Sequence, residues 1–291
     1  MPSEKEKILR AFYRRDFPSG IVEFEQELTT IVQNALGKSA IETHAYVQKN
    51  EKRLWNALKQ RLDDDRRKGR HPLFQVKDYS DRRITWSPHE MMSAGTSAKE
   101  KSIGLRLRSI PYVLDAIGRL NDRQFEALCC IICEFVGASK IKLTPKGNEG
   151  GVDFFALISV HAKCYLFGGN DRPLRIIGQA KMYNDRVSVD KVKQLIQTIN
   201  EVKEQNPSVE RHVPSWFRSA SGPVVGWLAT HQGVQAGSST KAKNHGIVVS
   251  DSLDMAEIAA LSKQVDNTLT PRQRAKIVTD KAKQFLAVNS S

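Results

Sequence analysis

Two stretches decide how this chain is read: Gly150-Gly-Val-Asp-Phe-Phe-Ala-Leu-Ile-Ser-Val160 and Leu174-Arg-Ile-Ile-Gly-Gln-Ala-Lys-Met-Tyr183. Each is a short run of aliphatic and aromatic residues flanked by turn formers, the pattern of a strand buried in a sheet. KIKLT, ending at Thr144, is a third such run just before them. Upstream, Asn121 supplies an N-cap for a helix with Phe125, Leu128, Cys129, Ile132 and Phe135 on its core face, closed by Gly137. Downstream, Ser188 opens a helix with Val189, Val192, Leu195, Ile196, Ile199 and Val202 inward. A Pro- and Trp-containing insertion over 205–222 precedes strand VVGWLAT, a short helix near 239–244, strand GIVVS and a helix over 252–262. Alternating helices and strands predict an α/β domain over 111–265. Thr270-Pro271 starts one more helix, with Pro in its first turn, so 266–291 reads as a C-terminal helix and tail.

The first 90 residues have a different texture. Ile21, Phe24, Leu28, Ile31, Val32 and Ala35 fall at helical spacing over 21–36, and Gly37 stops the run. Ser39 and Glu42 form a capping-box pattern that opens a second helix running towards Gly69, with Val47, Leu54, Trp55, Leu58 and Leu62 as its apolar stripe. After His71-Pro72, LFQVKD and RRITWS around Tyr79-Ser80 predict a β-hairpin. Helices followed by a hairpin outline a winged helix, so 1–90 is read as a mainly helical, winged-helix-like DNA-binding region. Periodicity fades after residue 88, and 91–110 is read as a linker.

The two decisive stretches also carry chemistry. Phosphodiester hydrolysis needs oxygen ligands for a hard cation, a nucleophilic water, and positive charge near the developing negative charge. Glu149-Gly150-Gly151-Val152 leads into Asp153, and the glycines let the backbone turn just before that carboxylate. Strand alternation puts Gln179 and Lys181 on one face of the later run. If the two strands are neighbours, Asp153 meets both. Asp153, the Gln179 side-chain oxygen and the Ala180 main-chain carbonyl would then hold Mg²⁺, or Mn²⁺ in its stead, while Lys181 orients water and offsets phosphate charge. Each residue also has an ordinary reading: Asp153 as a strand-start acid, Gln179 and Lys181 as exposed polar positions. Their order and combination favour the site.

At this point the chain resembles a known family. LNDRQFEALCCIICEFVGASKIKLT, then GNEGGVDFF, then IIGQAKMY are similar to the catalytic domain of Mrr-type restriction endonucleases. That family is a branch of the PD-(D/E)xK nucleases in which Gln replaces the second acid. The stretch from GWLATHQG to DSLDMAEI is similar to its closing strand–helix–strand–helix, with Thr230 ending the strand. The resemblance covers about 118–262 and carries over Asp153, Gln179 and Lys181 as the central triad, with Glu126 as the acid on the first helix. It implies an α/β class, a restriction-endonuclease-like α/β/α sandwich on a mixed sheet, and Mg²⁺-dependent cleavage of double-stranded DNA in defence against foreign or modified DNA. A homodimer is one assembly to test. One departure is HAKCYLFGGNDRP, residues 161–173, which lengthens the usual gap between Asp153 and Gln179.

Composition is consistent with this. Lys and Arg number 45 against 32 Asp and Glu, and the first 120 residues hold 23 and 16 of them, so the +13 charge is spread along the chain. A basic protein with no membrane signature points to a polyanion such as nucleic acid. Residues 49–70, with nine basic and four acidic residues, read equally as a solvated helix face or a DNA contact. MPSEKEKILR lacks the apolar core and cleavage site of a secretory signal, so a cytoplasmic location is expected. Cys129, Cys130, Cys133 and Cys164 do not form a disulfide framework, and Cys130-x-x-Cys133 lies on a helix rather than a tight turn, so buried thiols are a better reading than zinc ligands. His161, His231 and His245 show no paired spacing, and Trp216 with Phe217 could stack on a base or anchor a loop. Two rival functions share these residues: a catalytically silent DNA-binding module, and a repair or junction-resolving nuclease.

Overall fold

The computed structural model describes residues 2–15, 20–87, 96–145, 151–159 and 172–289. The chain divides into two compact units, Met1–Asp115 with Asp266–Ala275, and Ala116–Val265 with Lys276–Ser291.

In the first unit, Ser3 accepts from the Glu6 amide and opens α1 (Glu4–Arg14), whose Ile8, Leu9, Phe12 and Tyr13 are buried. Its polar stretch does not read as a helix from sequence. The expected helix over 21–36 is corrected at its start. Gly20 has φ 129°, a left-handed setting that favours glycine, and Ile21–Glu23 emerges as strand β1 before α2 (Phe24–Leu36). Gly37 (φ 64°) closes α2 by donating to the Gln33 carbonyl. Ser39 and Glu42 form the capping box of α3 (Ala40–Arg67), with the expected apolar stripe buried. The hairpin pairs β2 (Gln75–Asp78) with β3 (Arg83–Trp86), and β1 joins the far side of β3, giving antiparallel order β1-β3-β2. The succession α1-β1-α2-α3-β2-β3 with this strand order has the winged-helix outline.

The linker expected over 91–110 also needs correcting. Ser97 and Glu100 build a capping box that opens α4 (Ala98–Leu107), and Leu107 is buried. The Ser-x-x-Glu pattern was the available signal. The stretch lacks an apolar stripe, so periodicity hid it. Residues 88–95 lie outside the described residues. Helix α5 (Ile110–Ile117) follows.

The second unit starts with α6 (Asp122–Phe135), capped by Asn121 and Gln124. Strands β4 (Ala138–Leu143), β5 (Phe154–Ile158) and β6 (Leu174–Lys181) form an antiparallel meander. Helix α7 (Val189–Lys203) leads through two short turns, α8 (Pro207–Glu210) and α9 (Ser215–Ser219), to β7 (Val224–Thr230), which runs parallel to β6. Helix α10 (Ala236–Asn244), strand β8 (Val248–Ser250), helix α11 (Ser252–Leu261) and α12 (Pro271–Asn289) complete the chain. The sheet order is β4-β5-β6-β7-β8, mixed in sense. Alternation along β5 and β6 explains its two cores. Phe155, Leu157 and Ile177 pack with Val192, Leu195 and Ile199 of α7, whereas α6 packs on β4, β5 and β6 from the other face. The unit is therefore an α/β/α sandwich. Among the described residues, no helix is long and apolar enough to cross a membrane.

Candidate active site

The site forms where β5 begins and β6 ends. Gly151 has φ 86°, and a Cβ there would stand 3.1 Å from Thr198 Oγ1, so both backbone and space call for glycine in this turn. The turn delivers Asp153 one residue outside the register that pairs Phe154 with Gly178. Its amide donates to the Gly178 carbonyl (2.9 Å), and its carbonyl accepts from the Thr144 amide (3.0 Å). The side chain is thereby aimed along β6: Oδ2 accepts from the Ala180 amide (2.6 Å) and stands 3.6 Å from Lys181 Nζ.

Gln179 is 4% exposed, and its Nε2 donates to the Gly151 carbonyl at 2.9 Å. That bond fixes the amide, and Oε1 is left buried without a hydrogen-bond partner. A buried acceptor left in this way costs stability unless something else meets it. The backbone adds a further oxygen. The Gly178 carbonyl bonds towards β5 and the Lys181 carbonyl accepts from His231 on the β7 side, so alternation points the Ala180 carbonyl towards Asp153.

Glu126 joins this group from α6. Its side chain is only 19% exposed, and burial raises its carboxyl above the ordinary value. The charge of Asp153 adds to that rise, while Arg123 and Lys181 oppose it. Two carboxylates, a buried amide oxygen and a main-chain carbonyl are the donors a hard divalent cation takes. Among the described residues no cluster of three His, Cys, Asp or Glu side chains could hold a metal. Gln179 brings an amide oxygen and Ala180 a main-chain oxygen, so the residues fit the cation through oxygens beyond those of carboxylates.

Residues 117–209 match the family model of the Mrr catalytic domain, described as a restriction endonuclease. Over this segment the chain is similar to a restriction endonuclease catalytic domain. Among solved structures it is similar to MspJI restriction endonuclease in complex with a 27-mer oligonucleotide, at 17% identity over 68% of this chain and 39% of that one, with TM-score 0.35. It is also similar to the DNA modification-dependent restriction endonuclease AspBHI, at 13% identity over 72% of this chain and 60% of that one, with TM-score 0.41. The chain therefore spans about two fifths and three fifths of those two proteins. No curated protein matches it.

Within the second unit the structure brings Asp153, Gln179, Ala180, Lys181 and Glu126 into one cluster, and two further residues belong beside them. Arg123 donates to the Glu126 carboxylate and to the Thr144 carbonyl. Thr144, fully buried, places its hydroxyl 2.7 Å from the Val152 carbonyl and 2.9 Å from that of Asp153. Neither stands out in the sequence, although Arg123 lies three residues before Glu126, the spacing of a helical ion pair. His231 bonds Ser252 through Nδ1 (2.8 Å) and meets Phe125 edge-on, a packed core histidine. Cys129, Cys130 and Cys133 are buried and free, with burial pushing their thiols up. Cys164 and His161 lie outside the described residues. Phe217 is buried against Phe155, and Trp216 packs beside it, so the insertion's aromatics act as anchors.

Proposed function

We propose that the chain is a Mg²⁺-dependent endonuclease that hydrolyses phosphodiester bonds of double-stranded DNA and restricts foreign or modified DNA in the cytoplasm. The observation that carries this reading is the buried, unpartnered Gln179 Oε1 at the end of the strand where the Asp153 carboxylate stands 3.6 Å from Lys181 Nζ. Asp153, Gln179 Oε1 and the Ala180 carbonyl would hold the cation, with Glu126 facing them. The cation would stabilise charge on the phosphate and make water a better nucleophile. Asp153, held by the Ala180 amide, keeps its carboxylate in one orientation. Lys181 sits where it can orient the attacking water and offset charge on the scissile phosphate.

Target recognition is assigned in this reading to the first unit. The support is the winged-helix outline and the outward face of α3, where Lys49, Lys52, Asn56 and Lys59 are all exposed, opposite buried Leu54, Leu58 and Leu62. A homodimer would let two such sites cut both strands, and light scattering of the purified protein checks it.

The test is incubation of the full chain with methylated and unmethylated plasmid, with Mg²⁺, with Mn²⁺ and with EDTA. Metal-dependent cleavage that EDTA abolishes is expected. Metal-independent cutting, or binding with no cutting under any of these conditions, would replace this reading with another chemistry or with a DNA-binding module.

A further inference from the structure

Resting on the nuclease reading, we propose that Arg123, anchored on Thr144, is a positioning residue that locks the two acids Glu126 and Asp153 into one arrangement. An Arg–Glu pair three residues apart on a helix normally contributes little, because both side chains are solvated and free to move. This one differs in two respects. Both side chains are only 19% exposed, and the guanidinium has a second partner far away in sequence. One terminal nitrogen meets Glu126 on α6, while the other meets the main-chain carbonyl of Thr144, just past β4. A planar fork can serve two acceptors at once; an ammonium on a flexible stem holds them much less rigidly.

Thr144 passes the constraint on. Its hydroxyl lies against the carbonyls of Val152 and Asp153, and its amide donates to the Asp153 carbonyl. Glu126, Arg123, Thr144 and the Asp153 backbone thus form one continuous strut from α6 across the end of β4 to the start of β5. The two carboxylates act on each other through their charges, and like charges would separate if their elements were free. Beyond offsetting that repulsion, Arg123 fixes the spacing at which the two acids face the reacting phosphate.

Four variants of the full chain test this: Arg123→Lys, Arg123→Ala, Thr144→Val and Thr144→Ser. Partners of this kind typically contribute on the order of 10–100-fold to activity, so the first three should cut that much more slowly at saturating Mn²⁺, with KM for DNA unchanged. Thr144→Ser keeps the hydroxyl and should cut like the wild type. A second readout needs no cleavage: the Ala180 amide reports the Asp153 carboxylate it donates to. Its hydrogen exchange should quicken roughly tenfold in the first three variants and not in Thr144→Ser, a local opening with the global melting temperature held. Wild-type exchange and rate in Arg123→Lys would overturn the strut. So would recovery of full rate in Arg123→Ala on raising Mn²⁺, which would make the arginine a counter-ion only. If the wild-type chain cuts no DNA, the nuclease reading falls, and the exchange comparison still decides the strut on its own.

Discussion

At the scale of single residues, the meeting of Asp153 with Lys181, and the place of Gln179 on the same strand end, were legible from residue type and order. An acid after paired glycines, with Gln-x-Lys on the next strand, is a combination that folding alone rarely demands. Arg123 and Thr144 were not legible, since one acts through a carbonyl and the other through a hydroxyl placed by tertiary contact. Substitution separates the roles. Asp153→Ala removes the carboxylate held by the Ala180 amide, and cleavage should disappear while DNA binding in EDTA persists. Lys181→Ala keeps the oxygen ligands and should lower the rate by on the order of 10²–10³, the usual size for a charge facing a developing anion. Gln179→Glu is the more informative change. It replaces the unpartnered amide oxygen with a charged one but removes the donor to Gly151, so Mn²⁺ binding measured by calorimetry should tighten while some activity remains. Weaker Mn²⁺ binding in that variant would mean Oε1 faces something other than a cation.

At the scale of elements, caps and apolar stripes made α2, α3, α6 and α7 readable, and short apolar runs did the same for β5, β6 and β7. Two corrected readings and one helix not foreseen share one cause. Residues 21–23, α1 and α4 have conformations set by partners or caps rather than by periodicity: β1 exists because β3 offers it an edge. The β5–β6 pair that presents Asp153 depends on a contact no sequence pattern announces. A Cβ on Gly178 would lie 1.9 Å from the Phe154 ring, which is fully buried between Gly178 and Trp227. Gly178→Ala should therefore force the ring aside and destabilise the chain by about 1–3 kcal/mol, as overpacking of a filled core does. Urea denaturation measures this, and Phe154→Leu in the same chain should restore part of the loss by freeing space. A Gly178→Ala protein as stable as the wild type would mean the ring has room the packing does not show.

At the scale of the whole molecule, net charge was the first clue in the sequence and bears on binding rather than on fold. A charge of +13 does not say which face would meet DNA in the proposed function, but ion pairing within the chain separates neutralised charges from available ones. Arg66 and Arg67 are paired with Asp63 and Asp64, whereas Lys49, Lys52 and Lys59 on α3 are exposed and, among the described residues, have no ion-pair partner. Lysines free of internal partners can exchange small counterions for DNA phosphates. Each phosphate neutralised contributes about −0.9 to the slope of log K against log salt on duplex DNA. Binding of the full chain to a duplex in EDTA should therefore weaken steeply with salt. Replacing Lys49, Lys52 and Lys59 together by Gln should flatten the slope by up to about 2.7, or about 0.9 for each lysine that meets a phosphate. The same variant should keep the wild-type melting temperature, since these side chains are exposed. Its cleavage rate at saturating DNA should also hold, because the cluster around Asp153 belongs to the other unit. An unchanged slope would remove α3 from the interface and send the search for the DNA-binding face to the remaining exposed basic residues, Lys193 and Lys243 among them.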